Sequence, residues 1–576
     1  MIVRKHLLKT RFGFCCCTFF LLFAVILGRL FYLQIILNDI LYILGRKNFL
    51  RLEKIISPRG NIVDSHGRML ATNRPIVSLY WTGSGKKLDE EKYQTVALLE
   101  TIVGTPLLED IISYEKKGKT VLLVKELSFE QLSKISEQFP HHKNITIATH
   151  FKRYYPYHSY SSHVIGHLSM LDSQLAGKMG LELLLDENLK GTPGEKIKTV
   201  NSQGNHIAEE EVKKAFAGET IKTTIDINLQ HIAESIFPQD FAGVLLLMDP
   251  QTGALEVVLS RPSFDPNTFL NPIKEHDWAR LQANNPFLNR ALNTYPPASL
   301  FKLVTIAAAL EHNIVKEDSV WNCRGHITFG GRVYHCSNLS GHGELTFEEA
   351  LAQSCNIPFF EIGKHIKIDQ LAEQARKFGL GQKTNVLFHE KTGLIPTSTW
   401  KRMTFNERWY PGETLSAVIG QSYMLVTPLQ IARMISGICQ GYLVKPRILS
   451  EEGQEKEHFE VSETTRTFLK RSMKRTITDG SGRRLKNLHN MEIFAKTGTA
   501  QNVSLEKREL GKHFLEHAWF VAHVTYKDYE PKTIVILIEH AGSSRVATSI
   551  AWSFLVNYCQ YLDHGTTFLE TDVPSK

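Results

Sequence analysis

The sequence predicts an α+β protein held by one N-terminal membrane helix, and three observations predict it. Residues 12–37 form an apolar run interrupted by the single Arg29, long enough to cross a bilayer. Apolar strand segments lie in two sets, 242–259 and 493–539, with a helix-rich stretch between them. Strands at both ends with helices between describe an antiparallel sheet closed by both ends of one domain. At 576 residues the chain also exceeds one ordinary domain, so an accessory region is expected beside that core. The expected organisation is a tail at 1–11, an anchor at 12–37, an accessory region at 38–239, a catalytic domain at 240–565 and a terminal tail at 566–576.

Arg4, Lys5, Lys9 and Arg11 precede the apolar run, which keeps the N-terminus in the cytoplasm and sends the body across the membrane. No small-residue A-x-A site follows closely, so the segment reads as a retained anchor and not as a cleaved signal peptide. The net charge of +8 is small for this length and gives nucleic-acid binding no support. Cys15, Cys16 and Cys17 fall in the anchor; Cys323, Cys336, Cys355, Cys439 and Cys559 fall in the exported body. Disulfides are permitted there, but an odd count cannot all pair.

After the anchor, 41–56 reads as a mostly helical stalk, broken by Ser57-Pro58-Arg59-Gly60. A short strand at 61–64, a turn at His66-Gly67-Arg68 and a strand resuming at Met69-Leu70-Ala71 form a hairpin. The accessory region then alternates short strands and helices without catalytic chemistry. A linking helix at 226–236 leads to the boundary near 240. Beyond it come an apolar strand at 242–248, the turn Asp249-Pro250-Gln251-Thr252-Gly253 and a returning strand at 254–259. The chain ends with strands at 493–501, 518–525 and 532–539 and a closing apolar helix at 547–562.

Chemistry concentrates in three places. Tyr295-Pro296-Pro297-Ala298 leads into a helical run at 299–313, where Ser299 and Lys302 share one face of the first turn. A serine hydroxyl needs an adjacent base to act as a nucleophile, and a lysine serves only if burial and the helix dipole lower its pKa. By itself S-x-x-K is a pattern that chance supplies, and an N-cap serine with an exposed lysine is its commoner explanation. Ser354-Cys355-Asn356 at the end of a helical run and Lys496-Thr497-Gly498-Thr499 on a late strand change that. A second serine can relay protons, an asparagine can orient an amide, and a lysine with threonines can hold a carboxylate. Another K-T-G, Lys391-Thr392-Gly393, precedes the loop signal Leu394-Ile395-Pro396 and has no strand around it, so Lys391 reads as a surface loop residue.

With this trio in order, the chain resembles the class B penicillin-binding proteins, most closely those of the elongation type. Arg59-Gly60-Asn61-Ile62-Val63-Asp64 with Gly67 and Leu70-Ala71, Gly180-Leu181-Glu182 with Leu189-Lys190-Gly191, and Asn289-Arg290-Ala291-Leu292 carry the resemblance. So do Ile419-Gly420-Gln421, Thr427-Pro428-Leu429-Gln430 and Ala518-Trp519-Phe520-Val521. Ala298 departs from the glycine usual before the serine, and Leu303 from the proline that often follows the lysine. The resemblance implies an elongated pedestal domain of the dimerisation type and a β-lactamase-like transpeptidase domain with a central antiparallel sheet flanked by helices. It implies an inner-membrane protein, with its catalytic domain in the periplasm, that cross-links peptidoglycan stem peptides in cell elongation and is trapped by β-lactams. Ser299 would be the nucleophile, Lys302 its base, Ser354 a proton relay and Asn356 the amide holder. Lys496, Thr497, Gly498 and Thr499 would bind the terminal carboxylate, with an oxyanion hole from the N–H groups of Ser299 and Thr499. Release to water would make the same site a D-Ala-D-Ala carboxypeptidase. Glycan polymerisation would come from a membrane glycosyltransferase among other elongation proteins. A β-lactam hydrolase or sensor would need a deacylating base or a cytoplasmic signalling module, and a non-catalytic scaffold would need a decayed trio; none of these is read here.

Cys323, Cys336, His342 and Cys355 follow the pattern C-x12-C-x5-H-x12-C. Three thiolates and an imidazole complete a tetrahedral zinc shell. A Cys323–Cys336 disulfide with His342 at the surface is the rival, and the chemistry alone leaves the two open. The resemblance favours zinc, since elongation-type relatives carry metal ligands at matching positions, often with carboxylates where Cys323 and Cys336 stand. Cys355 is the middle residue of the second motif, so a metal there would pin the catalytic loop from behind.

Overall fold

The computed structural model describes residues 2–42, 50–140, 142–171, 174–200, 206–387, 389–500 and 511–565. The apolar run belongs to a helix, Ile2–Phe31, that continues into a π-turn, Tyr32–Ile36. Its stretch Phe12–Ile36 is long and apolar enough to cross a membrane. Phe12, Leu21 and Val25 have most of their surface exposed, which suits lipid contact and not a protein core.

The chain divides into two compact units, the first of which joins residues 1–59 to 190–218. Its sheet has three antiparallel strands, Leu50–Ile55, Gly194–Val200 and His206–Lys213, with Gly194–Val200 in the middle. This corrects the expected helical stalk at 41–56: its last residues are a strand, while 43–49 lie outside the described residues. The segment Leu50-Arg51-Leu52-Glu53 alternates apolar and charged, and register sets Leu52 opposite Ile197 and Lys54 opposite Glu195. A cross-strand partner about 140 positions away outweighed local helical character.

The second unit, 60–189 with 219–576, holds a second accessory sheet and the catalytic sheet. In the accessory sheet the long strand Met69–Thr82 pairs antiparallel with Ile62–Val63, Thr120–Val124 and Ile145–Tyr154. Leu79, Trp81, Val96, Leu99, Ile111 and Ile135 bury a small core of their own against it. Two ionic knots tie this region down. Arg68 donates to Asp64 (2.8 Å) and to Asp226 (3.1 Å), and Asp226 also caps the helix Ile227–Ile236 and accepts from the Tyr561 hydroxyl. Arg153, fully buried, donates to Glu182 (2.8 Å) and to the Gly60 carbonyl (2.6 Å), joining two of the motif segments.

The catalytic sheet runs, edge to edge, Leu255–Arg261, Gly243–Met248, Lys532–Ile538, His517–Tyr526 and Met491–Ala500, with every pair antiparallel. Both ends of the domain build it, as the sequence order predicts. Gly243–Met248 reads as uniformly apolar because both its faces are buried. Leu245 and Leu247 pack with Phe520 and Phe554 under the helices Ile227–Ile236 and Ser544–His564. Val244 and Leu246 pack with Trp519, Val521 and Ile306 on the other side, where Lys302–Glu311 and Pro428–Gln440 lie. Met491–Ala500 is an edge strand, so one row of its backbone N–H and C=O groups has no strand partner among the described residues.

Candidate active site

Ser299 sits in a tight turn, Ala298–Leu300, and Lys302, three residues after it, opens the α-helix Lys302–Glu311. Two prolines fix the approach, so the helical run expected from 299 begins as a 3-10 turn. The approach is lashed by backbone bonds: Tyr295 exchanges both with Val426 (2.9 Å each), and the Ala298 N–H donates to the Gly420 carbonyl (3.0 Å). Ala298 has φ +49°, the left-handed region, which explains why glycine suits this position and what its replacement costs. Gly420, with φ +70°, is held for two reasons: its backbone is also left-handed, and a Cβ there would stand 2.2 Å from the Ala298 oxygen.

Lys302 is fully buried, and its ammonium finds four acceptors. It donates to the carbonyls of Ser354 (2.8 Å) and Cys355 (3.2 Å), to Ser354 Oγ (3.3 Å) and to Asn356 Oδ1 (2.8 Å), and lies 5.0 Å over the Phe359 ring. Burial pulls its pKa down to about 8, against the pull of the Cys355 and Cys336 sulfurs upward. From the opposite side Lys496, also fully buried, donates to Ser354 Oγ (3.1 Å) and to the Thr497 carbonyl (2.8 Å). Burial and the neighbouring Lys302 depress it well below an ordinary lysine. Ser354 itself has φ +55°, which turns its hydroxyl between the two ammonium groups.

The K-T-G segment occupies the edge strand, with Lys496 opposite Val521, Thr497 opposite Phe520, Gly498 opposite Trp519 and Thr499 opposite Ala518. Gly498 lies against the turn of the serine: a Cβ there would reach within 3.2 Å of Trp519 Cβ and 3.4 Å of Leu300 Cγ. The strand's open edge can therefore receive an extended peptide by backbone pairing beside Ser299. Lys391 is exposed and lies in no helix or strand. Ser481 was not singled out from sequence, yet its hydroxyl bonds Thr497 Oγ1 at 2.6 Å. The only local signal, Gly480-Ser481-Gly482, reads as a turn.

Behind Ser354 the four residues Cys323, Cys336, His342 and Cys355 converge, with one ligand atom from each all within 4.8 Å of one another. Cys336 Sγ stands 3.7 Å from Cys355 Sγ, and His342 Nδ1 lies 3.6 Å from Cys323 Sγ and 3.5 Å from Cys336 Sγ. Tetrahedral zinc, with Zn–S near 2.3 Å and Zn–N near 2.0–2.1 Å, spaces two sulfurs by about 3.8 Å and sulfur from nitrogen by about 3.6 Å. The donor set thus fits the ion in kind and spacing. All three cysteines are free and buried. The contact between the Cys336 and Cys355 sulfurs lowers the pKa of Cys336 and raises that of Cys355. The loop is tied to this cluster twice more: the Asn356 N–H donates to Cys336 Sγ (3.5 Å), and its Nδ2 to the His335 carbonyl (3.1 Å).

Residues 243–555 match the penicillin-binding protein transpeptidase domain, and residues 54–223 match the penicillin-binding protein dimerisation domain. The chain is 27% identical to the peptidoglycan D,D-transpeptidase MrdA of Haemophilus influenzae, over 91% of this chain and 87% of that one. It is 28% identical to the MrdA of Escherichia coli K12, over 95% and 93%. Among solved structures, PBP2 of Helicobacter pylori in complex with MreC is similar at TM-score 0.77 and 25% identity, over 89% of this chain and 99% of that one. A peptidoglycan synthase complex coordinating polymerization and crosslinking is similar at TM-score 0.75 and 30% identity, over 94% and 97%.

Proposed function

Because this chain belongs to the penicillin-binding protein transpeptidases and aligns along nearly its whole length with peptidoglycan D,D-transpeptidases of the PBP2 type, we propose that it cross-links stem peptides through an acyl-enzyme on Ser299. The observation that carries the reading is Ser354 Oγ held between the ammonium groups of Lys302 and Lys496, next to the turn that presents Ser299. A lysine with its pKa drawn toward neutrality is a base that its solvated counterpart is not.

In this reading a stem peptide ending in D-Ala-D-Ala pairs along the open edge of Met491–Ala500. Lys496, with Thr497 and Thr499, holds its terminal carboxylate, and Asn356 turns its amide toward the incoming acyl group. Neutral Lys302 takes the Ser299 proton as Oγ attacks the penultimate D-alanine carbonyl. The oxyanion is held by the N–H groups of Ser299 and Thr499. The C–N bond to the terminal D-alanine then breaks, and the Ser354 hydroxyl passes a proton from Lys302 to the leaving amine. An acceptor amine attacks the ester next, and Ser299 recovers its proton. Water in place of the amine gives the carboxypeptidase reaction.

Cys323, Cys336, His342 and Cys355 would hold a structural zinc, whose contribution is to fix the loop that carries Ser354 and Asn356. The Phe12–Ile36 segment would anchor the protein in the inner membrane with the catalytic domain in the periplasm. A membrane glycosyltransferase and other elongation proteins would be its partners, in keeping with the assemblies its structural neighbours form. The direct test is a cross-linking assay with a pentapeptide donor and an amine acceptor. Dimeric product and free D-alanine are expected from the wild type and neither from Ser299→Ala; product from Ser299→Ala would overturn the mechanism.

A further inference from the structure

Lys391, which takes no part in the catalytic trio, lines a cavity of about 1010 Å³. The cavity lies in the second unit, between His163, His167 and Lys178 of the accessory region and Phe269, Trp278 and Asn293 of the transpeptidase region. Its wall is aromatic. Phe269 stacks on His167 at 4.0 Å between ring centroids, and Trp278 stacks on Phe287 at 5.7 Å, with Trp278 still 40% exposed. Its charge is of one sign: Lys125, Lys178 and Lys391 line it, and no aspartate or glutamate does. None of these three lysines makes an ion pair among the described residues, although Lys125 Nζ approaches the Leu270 carbonyl at 3.5 Å. Burial lowers the His163 pKa to about 4, so that imidazole stays neutral and the positive charge is that of the lysines.

An anionic ligand with a flat, weakly hydrated face fits such a lining: the face stacks on the rings, and carboxylates take the ammonium groups. The volume is at the upper end of small-molecule sites, which suits a ligand larger than a metabolite. We propose that this cavity binds an anionic muropeptide, a disaccharide of N-acetylated amino sugars whose stem peptide carries free carboxylates, as a site separate from the catalytic cleft. The choice of a wall glycopeptide rests on the transpeptidase reading above. Pyranose C–H faces stack on Trp278, amides of the cavity such as Asn271 meet the N-acetyl groups, and Lys178 and Lys391 meet the peptide carboxylates. Occupancy also bears on catalysis. Leu292 and Asn293 line the cavity, and the Leu292 carbonyl accepts from the Lys391 N–H (3.0 Å). The same segment continues through the Tyr295–Val426 and Ala298–Gly420 bonds to Ser299, so a ligand that presses on Leu292 reaches the nucleophile through bonded backbone.

The test uses the full chain in detergent micelles, treated with excess penicillin so that the Ser299 cleft is closed, and titrated with purified disaccharide-tetrapeptide while the heat of binding is followed by isothermal titration calorimetry. Saturable binding that weakens with salt is expected, and Trp278→Ala and Lys178→Glu should each weaken it about tenfold or more. Lys178 is exposed, so its variant carries the test if Trp278→Ala fails to fold; thermal melts check both. In untreated wild type, saturating muropeptide should change the rate of penicillin acylation. The proposal is overturned by absence of saturable binding, by variants that bind as the wild type does, or by displacement of the muropeptide by phosphatidylglycerol, which would make the cavity a lipid site. Failure of the wild type to take up penicillin would refute the acyl-enzyme reading instead; the titration is then run on untreated protein, where the Lys178→Glu contrast still decides.

Discussion

Replacing Cys355 with alanine separates a metal-pinned loop from a merely packed one. Cys355 is buried, its Sγ is 3.7 Å from Cys336 Sγ, and its neighbours Ser354 and Asn356 both bond Lys302. If the residue only packs, the substitution removes one sulfur from the core and costs about 1 kcal/mol. If it ligates zinc, the native state also loses the ion. A ligand present at 100 times its Kd contributes about 2.7 kcal/mol and at 1,000 times about 4.1 kcal/mol. At roughly 2–4 °C per kcal/mol for a large domain, the Tm falls on the order of 5–15 °C, several times the packing term. The loop's loss of register should slow acylation about 10- to 100-fold, as disturbed metal surroundings commonly do. Cys439→Ala, in the helix Pro428–Gln440 and outside the cluster, is the control and should show the packing cost alone. The assay pairs differential scanning calorimetry with stopped-flow acylation by fluorescent penicillin, and metal analysis of the purified chain. Absence of zinc, with a Cys323–Cys336 disulfide by mass spectrometry, would refute the reasoning. So would a Cys355→Ala variant that behaves like Cys439→Ala.

Chelation of the wild type should reproduce the Cys355→Ala change in Tm and acylation, and added zinc should reverse it; a chelator without effect on either contradicts the metal assignment. Lys302→Met should lower the acylation rate about 10²- to 10⁴-fold, the range of a lost general base, and single-turnover kinetics that show no loss would remove Lys302 from that role. Ala298→Gly should leave Tm within a few degrees of wild type: relief of the +49° strain, about 1–2 kcal/mol, is offset by unfolded-state entropy and a lost buried methyl. A large drop in its melting temperature would show that φ is not what governs the position. Arg153→Met should destabilise by about 3–5 kcal/mol in urea unfolding, because the buried Glu182 carboxyl loses its guanidinium partner, and a loss under 1 kcal/mol would mean the pair is dispensable.

The catalytic sheet was legible because its central strands are largely apolar and buried and its strands lie at the two ends of one domain, so composition and order carried the information. The neighbourhood of Lys302, Ser354 and Lys496 was legible only through the order of three motifs. The bonds that join them span 52 and 142 positions, which no local pattern encodes. Strand 50–55 went unread for the same reason, since its partner is supplied by 194–199. Lys391 could be separated from Lys496 because Leu394-Ile395-Pro396 denies it a strand, but nothing nearby announced that it lines a cavity. Ser481 lies in a glycine-flanked turn whose composition describes a loop and is silent about the threonine it meets. The cysteine spacing admitted zinc or a disulfide equally. The convergence of His342 on two of the sulfurs could not be read from that spacing, because it depends on how the hairpins 320–346 fold back on the loop.

Acylation of Ser299 can be read from the modified peptide itself. The full chain is incubated with penicillin, digested, and the modified peptide is located by tandem mass spectrometry. One penicilloyl adduct is expected, on the peptide containing Ser299, and none in Ser299→Ala. An adduct on any other serine, or one that persists in Ser299→Ala, would contradict it.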